Sequence, residues 1–535
     1  MIVTISKNRV TKVFSAFKIN PILILGAILV IFSVLAYGRF LQNGLGLAYN
    51  DARSHLDIGR RVVESLKPGL AQLGSVWLPL THLLMVPTVW NDFMWHSGLS
   101  GAIQSMAGFV AAGLLIYKIL EKLNVGILGR LVGVAVFVAN LNILYLQSTA
   151  MTELPLLATM TAGCYYLIKW HQSDNILDVI KSAFWIMLSS LIRYDGWFLF
   201  LAAASLIFVR QLFKKGYKTA EGAMILFATL AGFGIALWFL WNQLIFKDAL
   251  YFALGPFSAH AQQAQLSNAG NLPSKYNLFL STKIYLYALF YNSYTLPVFL
   301  ALAGLVVLLW DRRIHLDLRL STLSLLTPLA FNIIAMFFGF SVLFVQGISG
   351  DTWFNIRYGI MLAPAIAVFV GVLADRAVSL RLVIIGLLAF VLFFAFANYD
   401  AVTIDDARVG SSQKNVSEIA SYLSNHAKDQ PGFILISVAS HDAIIFSSGL
   451  PMSRFIHEGT GAYWTAATTA PDRWARWIIM RTYDDNDLTW KFVSRSSGFR
   501  FYKLAEHYPF ADVYEIDPAL VGQLHTTPDF AGQKK

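Results

Sequence analysis

Eleven apolar runs, beginning near residues 21, 98, 126, 154, 181, 197, 221, 284, 320, 357 and 381, constrain this chain more than anything else in it. A bilayer core takes roughly 20 apolar residues per helix. The runs therefore predict an α-helical polytopic membrane protein of about eleven transmembrane helices. With 56% of its 535 residues hydrophobic and 13% charged, the chain is too apolar to be a soluble protein of this length. Its net charge of +10 does not point to nucleic acid, because Lys and Arg fall in short clusters between the apolar runs instead of along one basic face. Cys164 stands alone inside an apolar run, which excludes an intrachain disulfide and a cysteine-based metal site.

The basic clusters orient the chain. Residues 1–20 carry Lys7, Arg9, Lys12 and Lys18 and read as a cytoplasmic N-terminus. This leader and the first run also resemble a cleaved signal peptide, but ten further runs follow and the first serves equally well as a helix. Alternate connections then carry Lys118/Lys122, Lys169/Lys181, Arg210/Lys214/Lys215/Lys218, Arg312/Arg313/Arg319 and Arg376/Arg381, all falling inside as the positive-inside rule asks. An odd span count places the C-terminus outside. The predicted organisation is a membrane domain over 21–398 with a large first outer loop, 38–97, and an extracytoplasmic α/β domain over 399–535. In that domain 433–438 reads as a buried strand after Pro431-Gly432, and 416–426 and 471–477 read as helical. The expected location is the plasma membrane, with the working face extracytoplasmic.

The first outer loop breaks the charge rule, since Arg39, Arg53, Arg60, Arg61 and Lys67 all lie in it. Residues 49–61 read as a helix on which Asp51 and His55 share a face at i,i+4. A carboxylate there can take a proton from an attacking hydroxyl, and the guanidinium groups can grip a phosphate. The plainer reading is an amphipathic helix lying on lipid headgroups. Residues 77–82, ending in His82, suit an interfacial hairpin. Glu153 before Pro155, the corner Arg193-Tyr194-Asp195-Gly196-Trp197, and Arg357-Tyr358 place further ionisable groups at helix mouths on the same face. Such groups are expensive at membrane depth, so they are functional candidates. Asp51 and His55 also permit a divalent cation such as Mg or Mn, though two ligands do not make a site. No Walker loop or dinucleotide-binding glycine motif is present, which removes support for ATP-driven transport. Gly129 and Gly133 suit helix packing, and the adjacency of Ser440, His441 and Asp442 does not make a triad.

In their order and placement, these features resemble the GT-C superfamily of membrane glycosyltransferases, near the protein O-mannosyltransferases and aminoarabinose transferases. The likeness rests on Asp51 soon after the first helix, on Thr152-Glu153-Leu154-Pro155, on Arg193-Tyr194-Asp195-Gly196-Trp197, on Arg357-Tyr358 before Pro364, and on a domain after the last helix. The resemblance implies transfer of a sugar from a polyprenyl-phosphate donor to a lipid, glycan or protein hydroxyl at the outer face. It implies Asp51 as base or cation holder, Glu153 and Asp195 as further acids, and Arg53, Arg60, Arg193 and Arg357 as donor-phosphate contacts. His55, His82, Tyr194 and Tyr358 complete the expected pocket. The O-mannosyltransferases carry an Asp-Glu pair in the first loop, where this chain has Asn50-Asp51-Ala52, so protein mannosylation is not the expectation. The rival readings are a secondary transporter and a non-catalytic membrane assembly protein. A transporter would show an internal repeat and charges within broken helices, whereas here the charges gather at helix mouths.

Overall fold

The computed structural model describes residues 20–256, 258–268, 274–410 and 416–526. The basic leader, 1–19, lies outside the described residues. Helix α1 (Pro21–Gln42) is followed by three helices in the first long connection: α2 (Asn50–Val63), α3 (Leu80–Val89) and α4 (Asp92–His96). The bundle continues with α5 (Leu99–Lys122), α6 (Ile127–Val138), α7 (Leu141–Leu146), α8 (Glu153–Ser173), α9 (Ile176–Ser190), α10 (Asp195–Lys215) and α11 (Tyr217–Phe246). It closes with α12 (Leu278–Ser293), α13 (Thr295–Trp310), α14 (Leu316–Phe338), α15 (Ile356–Arg376) and α16 (Arg381–Ala397).

This is a multi-pass integral membrane protein. Each predicted run falls on a helix, but seven helices among the described residues are long and apolar enough to cross a bilayer, or eight if α12 and α13 form one span. The run near 284 is in fact this pair, bent by 108° at Tyr294, whose φ is +61°. The runs near 126 and 181 give helices of only 12 and 15 residues. Helix α8 is buried along nearly its whole first half, so its composition answers to protein neighbours and not to lipid.

Helix α15 is the hub, 94% buried over its apolar window, against 11% for α1 at the rim. Close approach to it is bought with small residues. A Cβ on Gly133 would lie 2.7 Å from the Ala367 carbonyl oxygen, and one on Gly304 only 2.0 Å from that of Phe369. Gly304 therefore lets α13 touch the backbone of α15.

After α16 come α17 (Val402–Val409), α18 (Ser417–His426) and α19 (Val438–Ser448), with a five-stranded mixed sheet. Its strands are β1 (Phe433–Leu435), β2 (Phe455–Ile456), β3 (Ala475–Met480), β4 (Tyr502–His507) and β5 (Asp512–Ile516), in the order β2-β1-β3-β5-β4. The first three pair in parallel and the last three antiparallel.

This tail sits on the first loop. Arg61 is ion-paired to Asp442 at 2.8 Å, Arg53 donates to Ser447 at 3.3 Å, and Gln72 donates to the Gly459 carbonyl at 2.8 Å. Helix α2 is therefore not the surface-lying amphipathic helix of the plainer reading, since His55 through Arg61 are all buried. Within the junction, Asp57 accepts from the Trp95 indole at 3.1 Å and hydrogen-bonds the carboxyl of Asp442. Burial, together with Asp442, pushes Asp57 well above the ordinary carboxylate range. Burial, opposed by Arg61, carries Asp442 up to about 6. Two raised carboxyls favour the folded junction most at low pH, and the contribution of Asp442 is lost as pH rises from the ordinary carboxylate range through about 6.

Two outcomes follow from this packing. Gly304→Val is expected to cost about 1–3 kcal/mol and lower the melting temperature in detergent. Gly386→Val, where a Cβ would meet nothing within 4 Å, is expected to leave it unchanged. Asp57→Asn keeps an acceptor for Trp95 and gives Asp442 a neutral donor. It should raise the melting temperature more at pH 8 than at pH 5; equal shifts at both would show that no carboxyl proton is involved.

Candidate active site

Three acids and one arginine open helices whose N-termini meet. Asp51 lies in the first turn of α2, while Glu153 and Asp195 are the first residues of α8 and α10. Arg357 lies in the opening turn of α15, just after Asn355, which adopts a left-handed φ of +54° and donates its amide to the Val342 carbonyl at 2.9 Å. Asn tolerates that conformation better than a branched residue. Arg193 precedes α10 by two residues. Acids at helix starts are stabilised by the positive end of the dipole, which is why these residues stand where apolar runs begin.

The arginines join the acids into one network. Arg357 donates from Nη2 to Asp51 Oδ2 at 2.5 Å and from Nε to Glu153 Oε1 at 3.1 Å, with Nη1 3.9 Å from Asp406 Oδ2. Arg193 reaches Glu153 Oε1 at 3.4 Å and Asp195 Oδ2 at 3.3 Å. Asn332 of α14 donates to the other oxygen of Asp195 at 3.1 Å. Tyr358 lies under Arg193, with the guanidinium carbon 4.5 Å from the ring centre, and Tyr49 lies 5.0 Å from that of Arg357. Asp406 and Tyr49 are tied together at 3.1 Å. Neither was expected. Nothing in the sequence around 402–409 sets Asp406 apart from its neighbour Asp405, and Tyr49 reads as one more aromatic at a membrane boundary.

Four carboxylates face two guanidiniums here. The shortfall of two positive charges is met by the helix ends. Each N-terminus carries roughly half a positive charge, and those of α2, α8, α10 and α15 converge. The site is thus a preformed anion-binding centre that acids of the chain itself occupy. Glu153, Asp195 and Arg357 are buried, while the Asp51 side chain is 30% exposed, so Asp51 is the acid of this network most open to its surroundings.

Other expected residues stand elsewhere. Arg60 donates to the carbonyls of Val89 and Trp90 at 2.8 and 2.6 Å and to Asp92 at 2.6 Å, and lies over Trp95. Its N–H groups are spent on holding α2 to α3 and α4, so it is corrected from phosphate contact to brace. Arg53 is likewise committed to the Leu47 carbonyl at 2.9 Å and to Ser447. Tyr194 turns away from the ion network and donates to the Val76 carbonyl at 3.0 Å. His55 Nδ1 and His82 Nε2 meet at 2.8 Å. Burial, with Arg357 and Arg193 nearby, brings His55 down to about 3, so its imidazole is neutral at physiological pH. Asp51 and His55 therefore turn to different partners. Among the described residues no group of three or more His, Cys, Asp or Glu could hold a metal ion. The pair fits no cation cage, and the cation between Asp51 and Glu153 is the Arg357 guanidinium.

No family model matches the sequence, and no curated protein matches it. Solved structures do. ArnT from Cupriavidus metallidurans, an aminoarabinose transferase, aligns over 91% of this chain and 98% of its own with a TM-score of 0.53 at 11% identity, in its apo state and bound to undecaprenyl phosphate alike. The oligosaccharyltransferase of Archaeoglobus fulgidus aligns over 85% of this chain and 67% of its own, with a TM-score of 0.47 at 11% identity. The chain shares the fold of ArnT. In this fold the first-loop acid, the starts of α8 and α10 and the start of α15 come to one place.

Removing Arg357 tests how the network is held. Arg357→Ala leaves the fully buried Glu153 only its longer contact to Arg193 and is expected to cost on the order of 3 kcal/mol. Adding Glu153→Gln to that variant should recover part of the loss. Thermal unfolding in detergent checks both, and an additive double variant would mean that the two side chains do not stabilise each other.

Proposed function

We propose that this protein is a glycosyltransferase that moves a sugar from a polyprenyl-phosphate donor to a hydroxyl acceptor. The observation that carries this reading is the clamp at Arg357, which holds the half-exposed Asp51 beside two guanidiniums at four converging helix N-termini. ArnT, whose fold this chain shares over nearly its whole length, has been solved with undecaprenyl phosphate bound. A lipid phosphate is the anion that a trap at this depth suits.

In the reaction the acceptor oxygen attacks the anomeric carbon, and the bond from that carbon to the phosphate oxygen breaks. The polyprenyl phosphate departs with one more negative charge, which Arg193 and Arg357 neutralise. Asp51 takes the acceptor's proton. Phosphate drawn to Arg357 competes with Asp51 for its Nη2, so donor entry loosens the ion pair and bares the carboxylate that must act as base. No step is assigned to a metal ion. An N-terminus inside with the site opening outside suits this chemistry, and the basic clusters support that orientation. Ala52 beside Asp51, where the O-mannosyltransferases carry a second acid, favours a lipid or glycan acceptor over a protein.

The purified protein, incubated with a panel of polyprenyl-phosphate sugars and envelope acceptors, is expected to consume one donor. Asp51→Asn should lower turnover by at least about a hundredfold while shifting the melting temperature by no more than a few degrees. A fully active Asp51→Asn enzyme, or a wild type that consumes no donor, overturns the proposal.

A further inference from the structure

Trp77 is built into the site more rigidly than a boundary tryptophan needs to be. The bent stretch that carries it is pinned on both sides. The Trp241 indole donates to the Gly74 carbonyl at 3.0 Å, and Tyr194 donates to that of Val76 at 3.0 Å. Leu78 is buried with Trp238 and Phe252, and the Leu80 amide donates to the Leu191 carbonyl at 3.1 Å. The indole itself stands against His55, with ring centres 4.3 Å apart, and His82 follows at 6.5 Å. Those two imidazoles are hydrogen-bonded to each other and are 4% and 0% exposed. Trp77 in front of them is half-buried. An interfacial anchor keeps its ring among lipid headgroups, whereas this one is backed by a buried, uncharged pair of rings that contributes nothing to lipid contact.

Its place fixes its use. His55 lies one helical turn after Asp51 on the same face of α2, and Arg357 and Arg193 are close enough to bear on its imidazole. Across His55, the indole thus stands beside the helix that carries the proposed base. A pyranose ring offers an apolar face of C–H groups, and pockets bind such groups on aromatic surfaces while polar side chains fix the hydroxyls at the edges. We propose that Trp77 is the platform on which the donor's sugar ring lies, with the His55–His82 pair as the support that keeps the indole in that position. This rests on the reading of the protein as a lipid-phosphate-sugar transferase. Within that reading it assigns the sugar to the Asp51 side of the site, and it requires a donor sugar with at least one face of C–H groups free of axial hydroxyls.

The test compares binding of bare undecaprenyl phosphate with that of undecaprenyl phosphate carrying glucose, mannose or aminoarabinose, to the full-length protein in detergent. Wild type should bind at least one sugar-bearing lipid more tightly than the bare lipid. Trp77→Ala should weaken that lipid by about tenfold, the scale of one aromatic stacking contact, and leave the bare lipid unchanged. Trp77→Phe should restore most of the loss, and His82→Phe should retain the preference for the sugar-bearing lipid better than His82→Ala. Equal weakening of bare and sugar-bearing lipids in Trp77→Ala overturns the platform, because that is what a merely structural or lipid-anchoring tryptophan would give. Unchanged binding of both overturns it as well. A wild type that binds neither kind of lipid removes the transferase reading and the platform with it, whereas a wild type that binds while Trp77→Ala makes no difference removes the platform alone.

Discussion

A guanidinium can be buried at the head of the central helix only because carboxylates from three separate segments come to meet it. Arg357 touches Asp51 of the first loop and Glu153 of α8, and lies near Asp406 of the segment after the last bundle helix. An unpaired buried charge costs several kcal/mol, so these contacts dictate where the three segments sit. The first loop cannot lift away without leaving Arg357 short of a partner. The tail cannot detach without freeing Asp406 and the hydroxyl of Tyr49, which also donates to the Thr403 carbonyl at 2.8 Å. The electrostatics of the candidate site and the assembly of the fold are the same interactions.

The first loop shows how far this dependence reaches. Helix α2 carries Asp51 at its start and Arg60 and Arg61 at its end, and each end has a separate task. Arg60 is spent on α3 and α4, and Arg61 on the tail through Asp442. With both ends fixed, the Asp51 carboxylate is positioned by a helix that has little freedom to tilt. Catalysis by position needs this kind of restraint, since an error on the order of 1 Å in a reacting group is expensive.

Much of this was legible in the chain. The apolar runs mark the bundle because lipid imposes a length and a composition on whatever faces it. Asp51, Glu153, Arg193, Asp195 and Arg357 stand out because ionisable groups at the ends of apolar runs are costly and few. What was hidden depends on contacts between residues far apart in sequence. The bend between α12 and α13 turns on one residue, Tyr294, in a run whose hydropathy continues across it. Helix α2 looks like a surface helix because its arginines find their partners up to 394 residues away. Arg53 and Arg60 could not be told from Arg193 and Arg357 by type or neighbourhood, since what separates them is whether their N–H groups end on backbone carbonyls or on the carboxylates of the site. Helices buried among other helices, such as α8, escape lipid's demands and so carry a weaker signal.

The charge balance of the site bears on the order of events in the proposed transfer. A sugar phosphodiester enters with one negative charge and the phosphate leaves with two, while the acceptor hydroxyl gives up one proton. If that proton stays on Asp51, the total charge inside the network is the same before and after the bond changes hands. The helix ends and the two arginines then need no rearrangement to meet the transition state, and their field is already in place when the charge begins to move. A site with fewer acids would hold the departing phosphate too firmly and would have nothing to take the proton. With fewer guanidiniums, the acids would repel the donor before it arrived. Four carboxylates against two arginines, with the difference made up by backbone dipoles, allows both entry and release because the fixed dipoles attract an anion without forming an ion pair that must later be broken.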